Sequence, residues 1–183
     1  HDKRLGDFHY IGSEEKETFD YQVKVPEGRD PLTVRIVAVY ARIDRLSNGV
    51  LRIVDYKTGK SKKSERVSKL VVPEISSVFS PDSTCSDEAF QVMLYALLYR
   101  ENRISPNLYF VRDFHMNPEL RTELKYAPAK NEPIDNFDLY KAKFKDAFDA
   151  LICDIFDENK AFHQIDDQKH CKYCNFKDIC KRD

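Results

Sequence analysis

The chain has 183 residues, 42% of them hydrophobic and 33% charged, with a formal net charge of −1. That length and apolar content suit one sizeable core, and the charge balance excludes a polycation that binds nucleic acid by bulk attraction. No stretch approaches the roughly 20 apolar residues of a membrane-spanning helix and nothing at the start resembles a signal peptide, so a cytoplasmic location is expected.

In chain order, His9 comes first in the glycine-flanked stretch GDFHYIGSEE, which has no helical period, and reads as a surface residue. FDYQVKV (19–25) reads as a strand and Pro26-Glu27-Gly28 as a turn. Residues 33–45 (TVRIVAVYARIDR) and 50–57 (VLRIVDYK) are apolar, β-branched runs joined by Ser47-Asn48-Gly49. Asn-Gly between such runs predicts a hairpin. With the turn centred on Asn48 and Gly49, Asp44 falls opposite Ile53 and diagonal to Asp55, so Asp44, Asp55 and Lys57 share one face. Diagonal neighbours stand about 7–8 Å apart, a gap that two carboxylates can close around one hard cation. The hairpin is then half of a magnesium site. A competing reading makes Asp55 and Lys57 a surface salt bridge of little worth, but the flanking strands are too apolar to lie on a surface.

Residues 61–86 are polar and read as a loop able to gate or thread a strand. Lys57, Lys60, Lys62, Lys63, Arg66 and Lys69 make a basic run leaving the hairpin, either a solvated loop or a set of phosphate contacts. Gly59-Lys60-Ser61 ends like a phosphate-binding loop, but the glycine required five residues earlier is Val54. DEAFQVMLYALLYREN reads as a helix with acidic residues in its first turn and Arg100 in its last. Gln91 and Tyr95, four apart, share one face of it. NLYFVRDF (107–114) reads as a strand with LRTELKY (120–126) paired to it. Residues 136–158 form a helical stripe capped by Asn136, with Cys153 in the core. At the end, Cys171-x2-Cys174-x5-Cys180 points to a metal or an iron–sulfur cluster rather than to disulfides in a cytosolic chain. His170 could instead complete a zinc-like set. Ser-His-Asp and Cys-His hydrolysis have no local pattern here.

ARIDRL, IVDYKTGK, Gln91-x3-Tyr95 and the C-terminal cysteines together resemble the PD-(D/E)XK nuclease superfamily, and within it the RecB-like branch that includes AddB-type nuclease domains. The resemblance implies an α/β fold, a restriction-endonuclease-like core with a central mixed β-sheet flanked by helices, over 1–183, with a cysteine-bearing tail at 161–183. It implies a Mg²⁺- or Mn²⁺-dependent deoxyribonuclease, an exonuclease acting on a single strand or duplex end. Asp44, Asp55 and the Tyr56 carbonyl would then hold the metal, Lys57 would stand beside the attacking water, and Gln91 and Tyr95 would line the strand path. Lys60, Lys62 and Lys63 would contact DNA, and Cys171, Cys174 and Cys180 would bind a [4Fe–4S] cluster with a fourth, upstream cysteine. Glu17 also falls where RecB-like enzymes often carry a glutamate. This chain has no such upstream cysteine, its first being Cys85, and no histidine on a helix ahead of Asp44. It is therefore expected to be the C-terminal part of a longer polypeptide, with a helicase region or subunit as partner in recombinational repair. The alternatives are a catalytically silent DNA-end binding or scaffold module and a cysteine-anchored structural module.

Overall fold

The computed structural model describes residues 7–26, 30–59, 69–80, 87–114, 122–161, 163–164, 171–172 and 174–181. Two compact units divide the chain, His1–Cys153 and Asp154–Asp183. The first is a mixed α/β fold around a four-stranded sheet. Its strands are β1 (Phe8–Gly12), β4 (Arg42–Leu46), β5 (Leu51–Lys57) and β7 (Ile104–Phe110), in the order β1-β4-β5-β7. β1, β4 and β5 pair antiparallel, and β7 adds to β5 in parallel. A parallel neighbour needs a long crossover, and here the crossover contains α1 (Asp87–Leu98).

The apolar run at 33–45 does not form one strand. The chain bends at Ala41, so the run splits into β3 (Leu32–Tyr40), which pairs with β2 (Glu15–Val23), and β4, which belongs to the four-stranded sheet. One apolar stretch thus serves two sheets, a division that a continuous β-branched pattern conceals.

α1 begins with Asp87 and Glu88, where carboxylates favour the positive helix end. It buries Ala89, Val92, Met93 and Ala96 at helical spacing against the sheet core of Ile43, Leu51, Ile53, Ile104 and Leu108. It ends at Leu98, so Arg100 lies beyond its last turn. β7 is buried throughout and stops at Phe110; residues 111–114, expected to extend it, form a single helical turn, α2 (Val111–Phe114). Thr122 and Leu124 run antiparallel beside it: the Leu108 N–H donates to the Thr122 carbonyl at 2.8 Å, and the Leu124 N–H to the Pro106 carbonyl at 3.2 Å.

Part of the expected loop at 61–86 is ordered core. β6 (Val71–Val72) and a 3-10 turn over Ile75–Phe79 bury Leu70, Val72 and Ile75. Glu74 and Ser77 cap that turn reciprocally. β6 pairs with β8 (Lys125–Tyr126), which pairs with β9 (Glu132–Pro133). α3 (Asp138–Ile155) starts two residues after Asn136, whose side-chain oxygen accepts from the Asp138 N–H at 3.2 Å. Phe144 and Phe148 of α3 pack against Phe79 and Phe90, and Cys153 is buried as expected.

Candidate active site

Alternation along β5 sends Leu51, Ile53, Asp55 and Lys57 to one face. The first two enter the core beneath α1, and the last two emerge beside that helix at the C-terminal end of the strand. Lys57 Nζ donates to Gln91 Oε1 at 2.9 Å, and Gln91 Nε2 donates to the Tyr95 hydroxyl at 2.8 Å. Only one orientation of the Gln91 amide meets an ammonium at its oxygen and an acceptor at its nitrogen, so the chain of donors has a fixed sense. Tyr95 accepts in this chain and keeps its own hydrogen for a further acceptor.

Lys57 Nζ also stands 2.7 Å from Asp55 Oδ2. That contact is an ion pair outside hydrogen-bond geometry, and Asp55 Oδ2 is buried with no hydrogen-bond donor among the described residues. A buried carboxylate oxygen with spare acceptor capacity, next to the ammonium of a lysine whose side chain is only 23% exposed, is a place for a polar ligand or a cation.

Behind Tyr95 lies a cluster of tyrosines that the sequence reading missed. The Tyr40 ring packs 5.3 Å from Tyr95 and 5.4 Å from Tyr99. The Tyr40 hydroxyl has no hydrogen-bond partner among the described residues, although the residue is fully buried. Burial first, then the Glu17 carboxylate, pushes its pKa well above the usual tyrosine value; burial does the same for Tyr99, with Glu101, Glu15 and Glu17 adding to it. Both therefore stay protonated donors. The available signal was the Tyr95/Tyr99 spacing together with a tyrosine closing an apolar strand.

Asp44 stands elsewhere. Its register partner on β5 is Arg52, and Ile43 is the residue opposite Ile53. Partners share a face, so Asp44 belongs to the Arg52–Val54–Tyr56 side of the sheet, opposite to Asp55 and Lys57. The cause is the loop. Residues 47–49 form a three-residue connection, closed by hydrogen bonds from Leu46 N to Val50 O and from Gly49 N to Leu46 O, both 2.9 Å, with Gly49 at φ 84°. A two-residue Asn-Gly turn would have produced the expected pairing; a three-residue loop with glycine in the left-handed region shifts it by one residue and inverts the face.

The expected convergence of Asp44 with Asp55 is thereby overturned. Both Asp44 oxygens are instead taken by guanidinium groups: Arg52 Nε at 2.6 Å, Arg52 Nη2 at 2.8 Å, and Arg42 Nη2 at 2.7 Å. Tyr56, the other expected metal ligand, sits on β5 between Asp55 and Lys57 with a partly exposed ring.

Of the expected DNA contacts, Lys60, Lys62 and Lys63 lie outside the described residues, as do Arg66, Cys85 and His170. Lys69 is paired with Glu88 at 2.6 Å. In the second unit Cys171, Cys174 and Cys180 are free, half-buried thiols. Among the described residues no group of three or more His, Cys, Asp or Glu converges as a metal-ligand set. Of the two carboxylates that the spacing brought together, Asp55 lies on the β5 face toward α1 and Asp44 on the other, so the pair expected to hold a divalent ion does not converge.

The PD-(D/E)XK nuclease superfamily model matches residues 2–181. The chain belongs to that superfamily, whose members are typically metal-dependent phosphodiesterases acting on nucleic acid. No curated protein and no solved structure matches the chain.

Proposed function

We propose that the protein is a DNA nuclease of the RecB-like branch, hydrolysing phosphodiester bonds at strand ends as part of a larger helicase–nuclease in recombinational repair. The observation that supports it best is Lys57, held between Asp55 Oδ2 at 2.7 Å and Gln91 Oε1 at 2.9 Å where β5 ends. An ammonium so anchored is preorganised for the negative charge that builds on a phosphoryl group during hydrolysis. Asp55 Oδ2, lacking a hydrogen-bond donor, can accept one from an attacking water and orient it. The Tyr95 hydroxyl, fixed by Gln91, can donate to a phosphate oxygen of the same strand. Divalent metal dependence is a general property of the superfamily, and Asp55, with its oxygen free of hydrogen-bond donors among the described residues, is a carboxylate able to face such an ion.

A test is Mn²⁺-dependent degradation of end-labelled single-stranded DNA by the protein and by Lys57→Ala. Loss of at least about 100-fold in the variant is expected, the scale of removing one preorganised charge-stabilising group. Equal rates in both proteins would overturn the assignment. A second reading, a catalytically silent DNA-end binding module, is favoured by the placement of Asp44 on the sheet face opposite Asp55 and Lys57; it predicts DNA binding without cleavage.

A further inference from the structure

We infer that Asp44 is the anchor of a buried ionic clamp on the back of the sheet, and that metal binding does not use it. Asp44 is fully buried and Arg52 is 2% exposed. Arg52 grips both carboxylate oxygens in a fork at 2.6 and 2.8 Å, the strongest geometry for this pair. Arg42 adds a third contact from the same strand, at 2.7 Å.

The guanidiniums are themselves held. Phe8 of β1 lies under both, with its centroid 4.8 Å from Arg42 and 5.6 Å from Arg52, and Arg52 Nη1 donates to the Tyr109 hydroxyl of β7 at 3.5 Å. One carboxylate therefore ties all four strands of the sheet. Moving Asp44 to the Lys57 face would require a one-residue slip of β4, which would also expel Ile43 from the core and break the Arg52 fork on Asp44. The clamp deepens the nuclease reading by removing one residue from its metal site.

The experiment compares Asp44→Asn, Arg52→Lys and Asp55→Asn with the natural chain, measuring Tm in chelator and Mn²⁺ affinity by electron paramagnetic resonance. Asp44→Asn and Arg52→Lys should each lower the metal-free Tm by at least about 6 °C, the scale of a broken buried ion pair in a chain of this size. Both should keep Mn²⁺ affinity within about threefold of the natural chain where folded. Asp55→Asn should leave the metal-free Tm nearly unchanged and weaken Mn²⁺ at least about tenfold. A folded Asp44→Asn protein that loses Mn²⁺ as Asp55→Asn does would overturn the inference, as would an unchanged metal-free Tm in both clamp variants. If Asp44→Asn does not fold, Arg52→Lys decides, because it keeps the carboxylate and removes only the fork. If the natural chain binds no Mn²⁺, the metal reading of the site fails, while the Tm comparison still decides the clamp.

Discussion

Gln91 is the residue on which the geometry of the candidate site turns, because it holds Lys57 with one end of its amide and Tyr95 with the other. Gln91→Ala leaves Lys57 its charge but only one anchor. The expected result is a loss of about 10- to 100-fold in single-turnover DNA cleavage with little change in Tm, since misplacing a catalytic group by a fraction of its reach costs rate and not packing. Asp149 has the opposite character. It is buried in α3 and accepts from the Tyr21 hydroxyl at 2.7 Å, the Lys24 N–H at 3.2 Å and Lys145 at 2.6 Å. Asp149→Ala leaves these part-buried donors without their shared acceptor, and urea unfolding should show a loss of about 1–3 kcal/mol with DNA cleavage per folded molecule unchanged.

At the scale of elements, the β4–β5 hairpin decides which side chains face α1. Its register depends on Gly49 holding φ 84°, a conformation costly for any residue with a Cβ. No atom stands within 4 Å of an added methyl there, so Gly49→Ala isolates the backbone term. Chemical denaturation should report a loss of about 1 kcal/mol or more. The helix α1 contributes differently: its apolar stripe packs on the sheet, and Gln91 and Tyr95 lie where that stripe meets the end of β5. The two halves of the site are thus set by one loop conformation and one helix packing.

For the molecule as a whole, alkaline pH is the informative variable. Burial first, then the hydrogen bond to Asp149, raises the pKa of Tyr21; burial, then Glu17, raises that of Tyr40. A raised folded-state pKa means that the folded chain retains these protons longer than the unfolded chain, which releases them near the ordinary tyrosine value of about 10. Their contribution is full below about pH 10 and is lost as pH rises from there toward the folded-state values. Urea midpoints should be insensitive to these groups between about pH 7 and 9 and fall above about pH 10. Tyr21→Phe and Tyr40→Phe should each flatten that fall, and a decline equally steep in both variants would contradict the assignment.

Much of the molecule was legible from local pattern. The strand at 50–57, the α1 helix with Gln91 and Tyr95 on one face, and the Asn136-capped α3 follow from alternation, helical spacing and capping chemistry, which depend on neighbours in the chain. Asp55 and Lys57 share a face for the same reason, two residues apart on one strand. Arg52, a charge inside an apolar strand that the sequence reading passed over, was an available signal that some buried anion must answer it, though not which one. Tertiary structure alone decided the rest. Asn-Gly is compatible with both a two-residue and a three-residue loop, and the difference of one residue reverses every side chain on β4 relative to β5. Packing Ile43 beneath α1 and enclosing Asp44 between two arginines selects the three-residue form, a choice made by contacts far apart in sequence and invisible to any local window.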